Sequence, residues 1–369
     1  MAKPILLVTR KLPEAIEAAA ARLFDARLNG ADEPWFRDGA AIAARAAECG
    51  AQGVLCAAGD PMGEATVAAL PESVKAIATF SVGTDHVAVA AARARGITVS
   101  NTPEVLSFAT AECAMTLMLM AARRAGEGER LVRAGAWEGW APTQLMGVTL
   151  EGKKLGILGF GRIGRELAAM ARGFRMEIHY RDIQKLPAEL EQGATFHASD
   201  DAFPAAIDVL SMHVPGGAGT AKWLNAERLA RMKPGALVVN TGRGPSVDDA
   251  ALCAALKSGH VRAAGLDVYD GEPKVFPGYL ELPNVALLPH LGDWRQGGVI
   301  PAGYDLNAPA LPLAVAAQPA GTLPAAYSQF RVDVPNVVLE TVKKAEDGSG
   351  LILRLYESWG TRTRAALAL

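Results

Sequence analysis

The chain has 369 residues, half of them hydrophobic, and is long enough to bury more than one core. Its 37 basic and 39 acidic residues are interspersed and leave a formal net charge of −2, which argues against a nucleic-acid or membrane-surface partner. The four cysteines lack C-x-x-C spacing, so they favour reduced thiols in the cytoplasm over a disulfide framework or a zinc site.

The first hundred residues alternate between strand-like and helix-like stretches. The apolar run at residues 4–8 is too short for a signal peptide and predicts a first strand. Helices are predicted at residues 13–24 and 64–70, and strands at 53–57 and 75–79. This alternation is typical of a small α/β unit with a parallel sheet. The last strand runs into a glycine turn at residues 80–85. Either the N–H groups of this turn bind a carboxylate, or the turn only connects the strand to a helix.

Residues 101–152 separate this unit from the rest of the chain. Asn101-Thr-Pro103 interrupts the alternation, and a long helix follows to about Arg124. Apolar residues surround this helix, so we expect it to be buried between domains or subunits. Its most apolar part is about half as long as a membrane span.

A glycine-rich motif follows the apolar run Leu155–Leu158. Gly159, Gly161 and Gly164 form G-x-G-x-x-G, and helical periodicity continues beyond them. Such glycines permit a tight turn, the approach of a pyrophosphate and close helix–strand packing, with the phosphates at the helix N-terminus. Strand, helix, second strand and acidic residue occur in this order, which favours dinucleotide binding over a merely structural turn.

The second strand, residues 177–180, is followed by Asp182, where a carboxylate accepts hydrogen bonds from an adenosine ribose. This carboxylate favours NAD(H), because it repels the extra phosphate of NADP(H). The neighbouring Arg181 partly offsets that repulsion, so NADP(H) stays open as the alternative.

The α/β alternation then resumes and predicts a doubly wound sheet, with its ligand crevice at the carboxyl ends of the strands. The predicted strands are 207–212, 236–240, 263–268 and 285–288, and the predicted helices are 225–232 and 247–257.

Three polar residues follow the last strands and suit hydride transfer to a 2-keto acid. Arg243 offers a guanidinium that clamps a carboxylate and a carbonyl oxygen. His290 is the acid/base that titrates near neutrality, and Glu272 orients it and raises its pKa. Taken singly, each residue type at such a position is usually a solvated surface or loop residue; together, after a dinucleotide motif, they predict an active site.

These motifs resemble those of the D-isomer-specific 2-hydroxyacid dehydrogenases, and more closely their glyoxylate/hydroxypyruvate reductase branch. The resemblance runs from about residue 3 to residue 292. It rests on Ser81-Val-Gly-Thr-Asp85, Asn101-Thr-Pro-Glu-Val-Leu106, the Gly159–Gly164 motif, Asn240-Thr-Gly-Arg-Gly244, Gly265 to Pro273 and Pro289-His290.

The resemblance implies a flavodoxin-like substrate domain at 1–101 and a Rossmann-like dinucleotide-binding domain at 102–290. It implies that Arg243 binds substrate, that Glu272 supports His290 as acid/base, and that the N–H groups of Val82 and Gly83 hold the substrate carboxylate. The residues expected at the cofactor are Thr110, Gly159, Gly161, Arg162, Ile163, Gly164, Asp182, His213, Pro215, Thr241 and Asp267, the last near the nicotinamide amide. A homodimer built by the long helix and the Trp137/Trp140 arm is also implied.

The segment 291–369 departs from that family, in which one long helix crosses back to complete the N-terminal domain. Five prolines between residues 301 and 324 exclude such a helix here. Strand-like runs at 337–342 and 351–356 flank an Asp-Gly-Ser-Gly turn and predict an antiparallel hairpin.

This tail resembles the C-terminal β-region of bacterial-type α-mannosidases, through residues 287–295 and 337–347. The switch falls at Leu-Leu-Pro-His, a string compatible with both families, so we interpret the chain as a chimera. The tail carries no recognisable pair of catalytic carboxylates, and we expect no glycosidase activity from it.

The sequence therefore predicts NAD(P)H-dependent reduction of a small 2-keto acid, such as glyoxylate or hydroxypyruvate, to the D-2-hydroxy acid. His290 supplies the proton. Because a missing crossover helix would leave the N-terminal domain loose, a catalytically impaired dinucleotide-binding regulatory or scaffold protein is the alternative.

Overall fold

The computed structural model describes residues 3–103 and 106–292, together with the backbone of four short strands between residues 331 and 368. The first two ranges form two parallel sheets with helices around them, one of five strands and one of seven. This is the doubly wound α/β architecture that the sequence predicts.

The N-terminal sheet has the strand order β2-β1-β3-β4-β5, and all of its pairings are parallel. Its strands are β1 (Ile5–Val8), β2 (Asp25–Arg27), β3 (Gly53–Ala57), β4 (Ala76–Phe80) and β5 (Thr98–Ser100). Its helices are α1 (Glu14–Leu23), α2 (Gly39–Glu48), α3 (Glu64–Ala69) and α4 (Val89–Ala94). The sequence analysis found β1, β3, β4, α1 and α3 and missed the remaining elements.

The two faces of this sheet are covered unequally. One face packs against a large core to which α2, α3 and α4 contribute Ile42, Val67 and Ala92. On the other face, Val8 and Leu55 pack with two residues of α1 and its preceding loop, while Phe80 of β4 is only partly buried.

The second sheet has the order β12-β11-β10-β9-β6-β7-β8, again entirely parallel. Its strands are β6 (Lys154–Leu158), β7 (Glu177–Arg181), β8 (Thr195–Phe196), β9 (Val209–Met212), β10 (Ala236–Asn240), β11 (Val261–Leu266) and β12 (Val285–Leu287). Its helices are α5 (Ser107–Arg123), α6 (Ala125–Arg133), α7 (Arg162–Gly173), α8 (Ala188–Glu191), α9 (Phe203–Ala206), α10 (Ala226–Arg231), α11 (Asp249–Lys257) and α12 (Pro277–Leu280). The order turns back between β6 and β9, and this switch point places the end of β6 beside the end of β9.

The long helix α5 is buried as expected, but against its own domain. It packs on β10, β11 and α7, and a Cβ on Gly265 of β11 would lie 2.8 Å from the Cβ of Leu117. The absence of a side chain at Gly265 therefore lets the helix rest on the strand backbone. Within the ranges 3–103 and 106–292, no helix has both the length and the apolar character that crossing a membrane requires.

The tail strands pair with one another. The strands β14 (Val337–Lys344) and β15 (Leu351–Glu357) are antiparallel partners, as the sequence predicts, and β13 (Arg331–Val332) pairs with β16 (Leu367–Ala368). The proline-rich stretch and the Asp-Gly-Ser-Gly turn lie outside the described residues.

Candidate active site

The glycine motif joins β6 to α7, and each glycine has a different environment. Gly159 has φ +87°, and a Cβ there would lie 3.0 Å from the carbonyl carbon of His213. A Cβ on Gly164 would overlap the carbonyl oxygen of Gly159, whereas a Cβ on Gly161 would meet nothing within 4 Å. The open space at Gly161, directly before the first turn of α7, fits a pyrophosphate that approaches the backbone.

Asp182 follows β7 and lies next to this turn. Its Oδ2 accepts a hydrogen bond from the N–H of Phe160 at 2.7 Å, and its Oδ1 accepts one from the N–H of Ile183 at 2.7 Å. Each carboxylate oxygen keeps further acceptor capacity for a ribose hydroxyl. The neighbouring Arg181 is engaged elsewhere, because its Nε donates to Asp200 at 2.7 Å.

His213 lies after β9, against Gly159, and both of its ring nitrogens are within hydrogen-bond distance of hydroxyls. Nδ1 lies 3.2 Å from the Oγ1 of Thr241, and Nε2 lies 2.9 Å from the Oγ of Ser211. Desolvation lowers the pKa of His213 to about 3, so the imidazole is neutral near pH 7. Pro215 follows it at the exposed rim of the same crevice. Thr241, Pro215 and His213 are therefore brought together beside the glycine turn.

Asp267 lies buried at the end of β11. Its two carboxylate oxygens accept hydrogen bonds from the N–H groups of Leu291 and Gly292, each at 2.7 Å. Thr110 of α5 donates to the carbonyl of Gly292 at 2.8 Å. The structure thus places both predicted cofactor residues together, and shows that they fasten the segment after β12.

His290 precedes that segment and pairs with Glu272. The His290 Nδ1 lies 2.8 Å from Glu272 Oε2, and the N–H of Tyr269 donates to Glu272 Oε1 at 2.8 Å. Burial favours the neutral form of Glu272, but the hydrogen bond and charge of His290, helped by Tyr269 and the charge of Arg243, outweigh it and hold the pKa of Glu272 below its usual range. A carboxylate here orients the ring and favours its protonated form.

Arg243 follows β10 and reaches across to the N-terminal domain. Its Nε donates to Asp85 Oδ2 at 2.8 Å, and its guanidinium lies so close to Gly83 that a Cβ there would overlap it. Within the described part of the chain, the N–H groups of Val82 and Gly83 have no hydrogen-bond partner. Two unpartnered N–H groups therefore lie in the turn that the guanidinium approaches, and these are groups that bind carboxylates.

Sequence reasoning missed Asp85 as a partner of Arg243, although it belongs to the motif Ser81-Val-Gly-Thr-Asp85. No described group of three or more His, Cys, Asp or Glu side chains is arranged to hold a metal ion. Arg162 and Ile163 open α7 beside Gly161, where the sequence places the cofactor.

Comparison with known proteins points to one family. The family model "D-isomer specific 2-hydroxyacid dehydrogenase, NAD binding domain" matches residues 115–292. The glycerate dehydrogenase of Hyphomicrobium methylovorum is 40% identical over 294 residues, which cover 79% of this chain and 90% of that protein. A glyoxylate reductase of Thermococcus litoralis is 43% identical over 224 residues, covering 59% of this chain and 67% of its own.

Solved structures give the same result. The glyoxylate reductase of Paecilomyes thermophila superimposes with a TM-score of 0.74 at 34% identity, over 84% of this chain and 95% of that one. The NADPH-dependent glyoxylate/hydroxypyruvate reductase of Sinorhizobium meliloti, in complex with NADP and malonate, gives 0.73 at 33% identity, over 83% and 92%.

The fold and the site define an oxidoreductase of the dinucleotide-dependent dehydrogenase class. The chain belongs to the D-isomer specific 2-hydroxyacid dehydrogenase family. Residues 336–369 match a different model, "Glycosyl hydrolases family 38 C-terminal beta sandwich domain", in agreement with the resemblance that the tail sequence suggests.

We expect Gly161→Ala and Gly164→Ala to separate cofactor binding from stability. The methyl group of Gly161→Ala enters open space and obstructs only an approaching pyrophosphate, so NADH affinity falls at least about tenfold while the melting temperature is kept. Gly164→Ala forces a methyl group against a backbone carbonyl and lowers the free energy of unfolding by about 1–3 kcal/mol. Fluorescence titration with NADH and urea unfolding measure the two effects. Wild-type NADH affinity in Gly161→Ala would contradict this placement of the pyrophosphate.

Glu272→Gln tests the His290–Glu272 pair through its pH profile. If His290 is the acid, reduction needs its imidazole protonated, and kcat/KM falls as pH rises through the pKa of that group. The Glu272 carboxylate favours protonation, and its removal moves this alkaline limb to lower pH and reduces kcat about tenfold or more. The control His290→Gln should lose the limb itself. An unmoved limb in Glu272→Gln would refute the pairing.

Proposed function

We propose that this protein reduces glyoxylate, hydroxypyruvate or a similarly small 2-keto acid to the D-2-hydroxy acid, with NADH as the preferred cofactor. The observation that carries the proposal is that Arg243 lies beside Gly83 and close enough to the His290–Glu272 pair for its charge to act on Glu272. The names of relatives, a glycerate dehydrogenase and glyoxylate reductases, support a small substrate.

Each group has a distinct role in this reaction. Bound NADH supplies the hydride for the keto carbon. Arg243 and the N–H groups of Val82 and Gly83 hold the substrate carboxylate, and the guanidinium also polarises the carbonyl oxygen. His290 donates the proton that this oxygen takes up, while Glu272 stabilises the imidazolium before transfer. Gly159, Gly161 and Asp182 hold the pyrophosphate and the adenosine ribose.

The cofactor preference follows from charge at the ribose site. The Asp182 carboxylate repels a 2′-phosphate, and Arg181, the cation that would offset it, is paired with Asp200. One structural neighbour is NADPH-dependent, so the preference belongs to these side chains rather than to the fold. The scattered cysteines and the absence of a zinc-like spacing support a cytoplasmic enzyme.

The test is oxidation of NADH and NADPH by the purified full chain with glyoxylate and with hydroxypyruvate. We expect turnover with at least one acid, and a kcat/KM about tenfold or more higher with NADH. Asp200→Asn should release Arg181 and raise kcat/KM with NADPH, whereas Asp182→Ser should lower it with NADH. No turnover by a folded protein that binds NADH would favour the alternative, a catalytically impaired dinucleotide-binding protein.

We further propose that the protein is a homodimer, built through the arm that follows α6. Trp137 and Trp140 are 55% and 81% exposed, and Val132 and Met146 nearby are similarly exposed. Exposed large apolar side chains are typical of protein–protein interfaces, where Trp is enriched.

Sedimentation velocity tests this assembly. We expect a dimer for the wild-type chain, and a shift towards monomer in Trp140→Glu, because a carboxylate would be buried without a partner. Leu190→Glu, which changes another exposed apolar residue away from the arm, is the matched control and should leave the dimer intact. A wild-type monomer at micromolar concentration would disprove the proposal.

A further inference from the structure

In the turn from Ser81 to Thr84, the carbonyls of Ser81, Val82 and Gly83 each accept a hydrogen bond. The carbonyl of Ser81 accepts from the N–H of Thr102 at 3.0 Å, and that of Val82 accepts from Asn101 Nδ2 at 2.8 Å. The carbonyl of Gly83 accepts from the hydroxyl of Ser81 at 2.7 Å. The turn is thus fastened through its carbonyls, while the N–H groups of Val82 and Gly83 are directed elsewhere.

These carbonyl bonds act on the N–H groups through the peptide units they share. The carbonyl of Val82 and the N–H of Gly83 belong to one peptide, and the carbonyl of Ser81 and the N–H of Val82 belong to another. A peptide whose oxygen accepts a hydrogen bond becomes a better donor at its nitrogen. Asn101 therefore strengthens the N–H of Gly83, beside the guanidinium of Arg243.

The hydroxyl of Ser81 ends a chain of hydrogen bonds that begins at His86. Ser81 Oγ lies 2.7 Å from Thr79 Oγ1, which lies 2.8 Å from His86 Nε2. The hydroxyl of Ser81 has one proton and donates it to the carbonyl of Gly83, so it must accept a hydrogen bond from the hydroxyl of Thr79. Thr79 then has no proton left for the imidazole and accepts from it. The direction of the chain is fixed, and His86 carries a proton on Nε2.

The surroundings of the chain support this arrangement. Thr79 is 0% and Ser81 5% exposed, so neither hydroxyl has water to replace a lost partner. Burial lowers the pKa of His86, with Arg243 reinforcing and Asp85 opposing the effect. The imidazole is therefore neutral near pH 7, and its single ring proton is the one that the chain requires.

We propose that Asn101 and the chain His86–Thr79–Ser81 are positioning residues that hold the Ser81–Thr84 turn as a preformed carboxylate site. The proposal rests on the proposed function in one respect: the ligand of the turn is the carboxylate of the keto acid. These four residues contribute to binding of the substrate carboxylate and not to proton or hydride transfer. Their loss therefore raises KM far more than it lowers kcat.

The experiment compares His86→Leu, Thr79→Val and Asn101→Ala in the full chain. The readouts are KM and kcat for glyoxylate, NADH affinity, and calorimetric binding of oxalate to the enzyme–NADH complex. We expect oxalate affinity to fall and KM to rise about tenfold, with kcat and NADH affinity changed less than threefold. His86→Gln, whose amide can still donate to Thr79, should recover most of the loss.

Thr66→Val is the matched control. Thr66 is also a buried threonine of the N-terminal domain, and its hydroxyl donates to the carbonyl of Pro61 at 2.7 Å, away from the turn. It should lower the melting temperature as Thr79→Val does, but leave KM and oxalate affinity unchanged. Nitrogen-15 NMR of His86 should also show the Nε2-protonated tautomer.

The outcomes separate the two proposals. Oxalate affinity within twofold of wild type in both His86→Leu and Thr79→Val, or equal losses in Thr66→Val, would overturn the positioning role even in an active enzyme. If the protein reduces no keto acid but His86→Leu and Thr79→Val bind oxalate more weakly than wild type, the positioning role is supported and the proposed function is wrong. A wild-type protein that neither binds oxalate nor turns over would defeat both.

Discussion

The position of His290, the proposed proton donor, depends on Asp267. Asp267 is 1% exposed, and its carboxylate is satisfied by the N–H groups of Leu291 and Gly292. A buried carboxylate without such donors is costly, so the segment after β12 is drawn to the end of β11. The N–H of His290 also donates to the carbonyl of Asp267 at 2.9 Å, and the imidazole is thereby set opposite Glu272. Asp267 thus positions His290 opposite Glu272, although its side chain hydrogen-bonds to neither residue.

The ion pair between Arg243 and Asp85 connects the two domains at the proposed substrate site. Its side chains are 33% and 44% exposed, so solvent screens it and it contributes little to stability. Its effect is geometric: the guanidinium is held beside Gly83 before substrate arrives. The Nη1 of Arg243 also donates to the carbonyl of Gly242 at 2.8 Å, and an incoming carboxylate would be a third acceptor, bound by the remaining N–H groups of the planar guanidinium. Preorganisation of this kind reduces the ordering cost of binding.

The elements and residues that depend on short-range sequence patterns could be predicted from the sequence. Contacts between residues far apart in the chain could not. The run β6–glycine turn–α7 and the acidic Asp182 follow from short-range patterns, whereas the edge strands β2 and β5 are only three residues long. Phe174 falls at the apolar spacing that predicts α7, but it caps the helix and is 41% exposed. Asp85 belongs to a recognised motif, but neither its partner nor that of His86 could be predicted, because Arg243 lies in the other domain and Thr79 lies inside β4. The roles of Arg243, Glu272 and His290 were predicted from strand ends, and the structure places the three together.

The described strands of the tail form hydrogen-bond ladders only among themselves and add no strand to either parallel sheet. Strand pairing in an enzyme sheet fixes register, so an appended segment that joined such a sheet would have to match its alternation of buried and exposed positions. A self-paired hairpin has no such requirement. The register of the twelve strands in the two parallel sheets therefore does not depend on the described tail strands, so a change in the sequence of those strands is not constrained by either sheet.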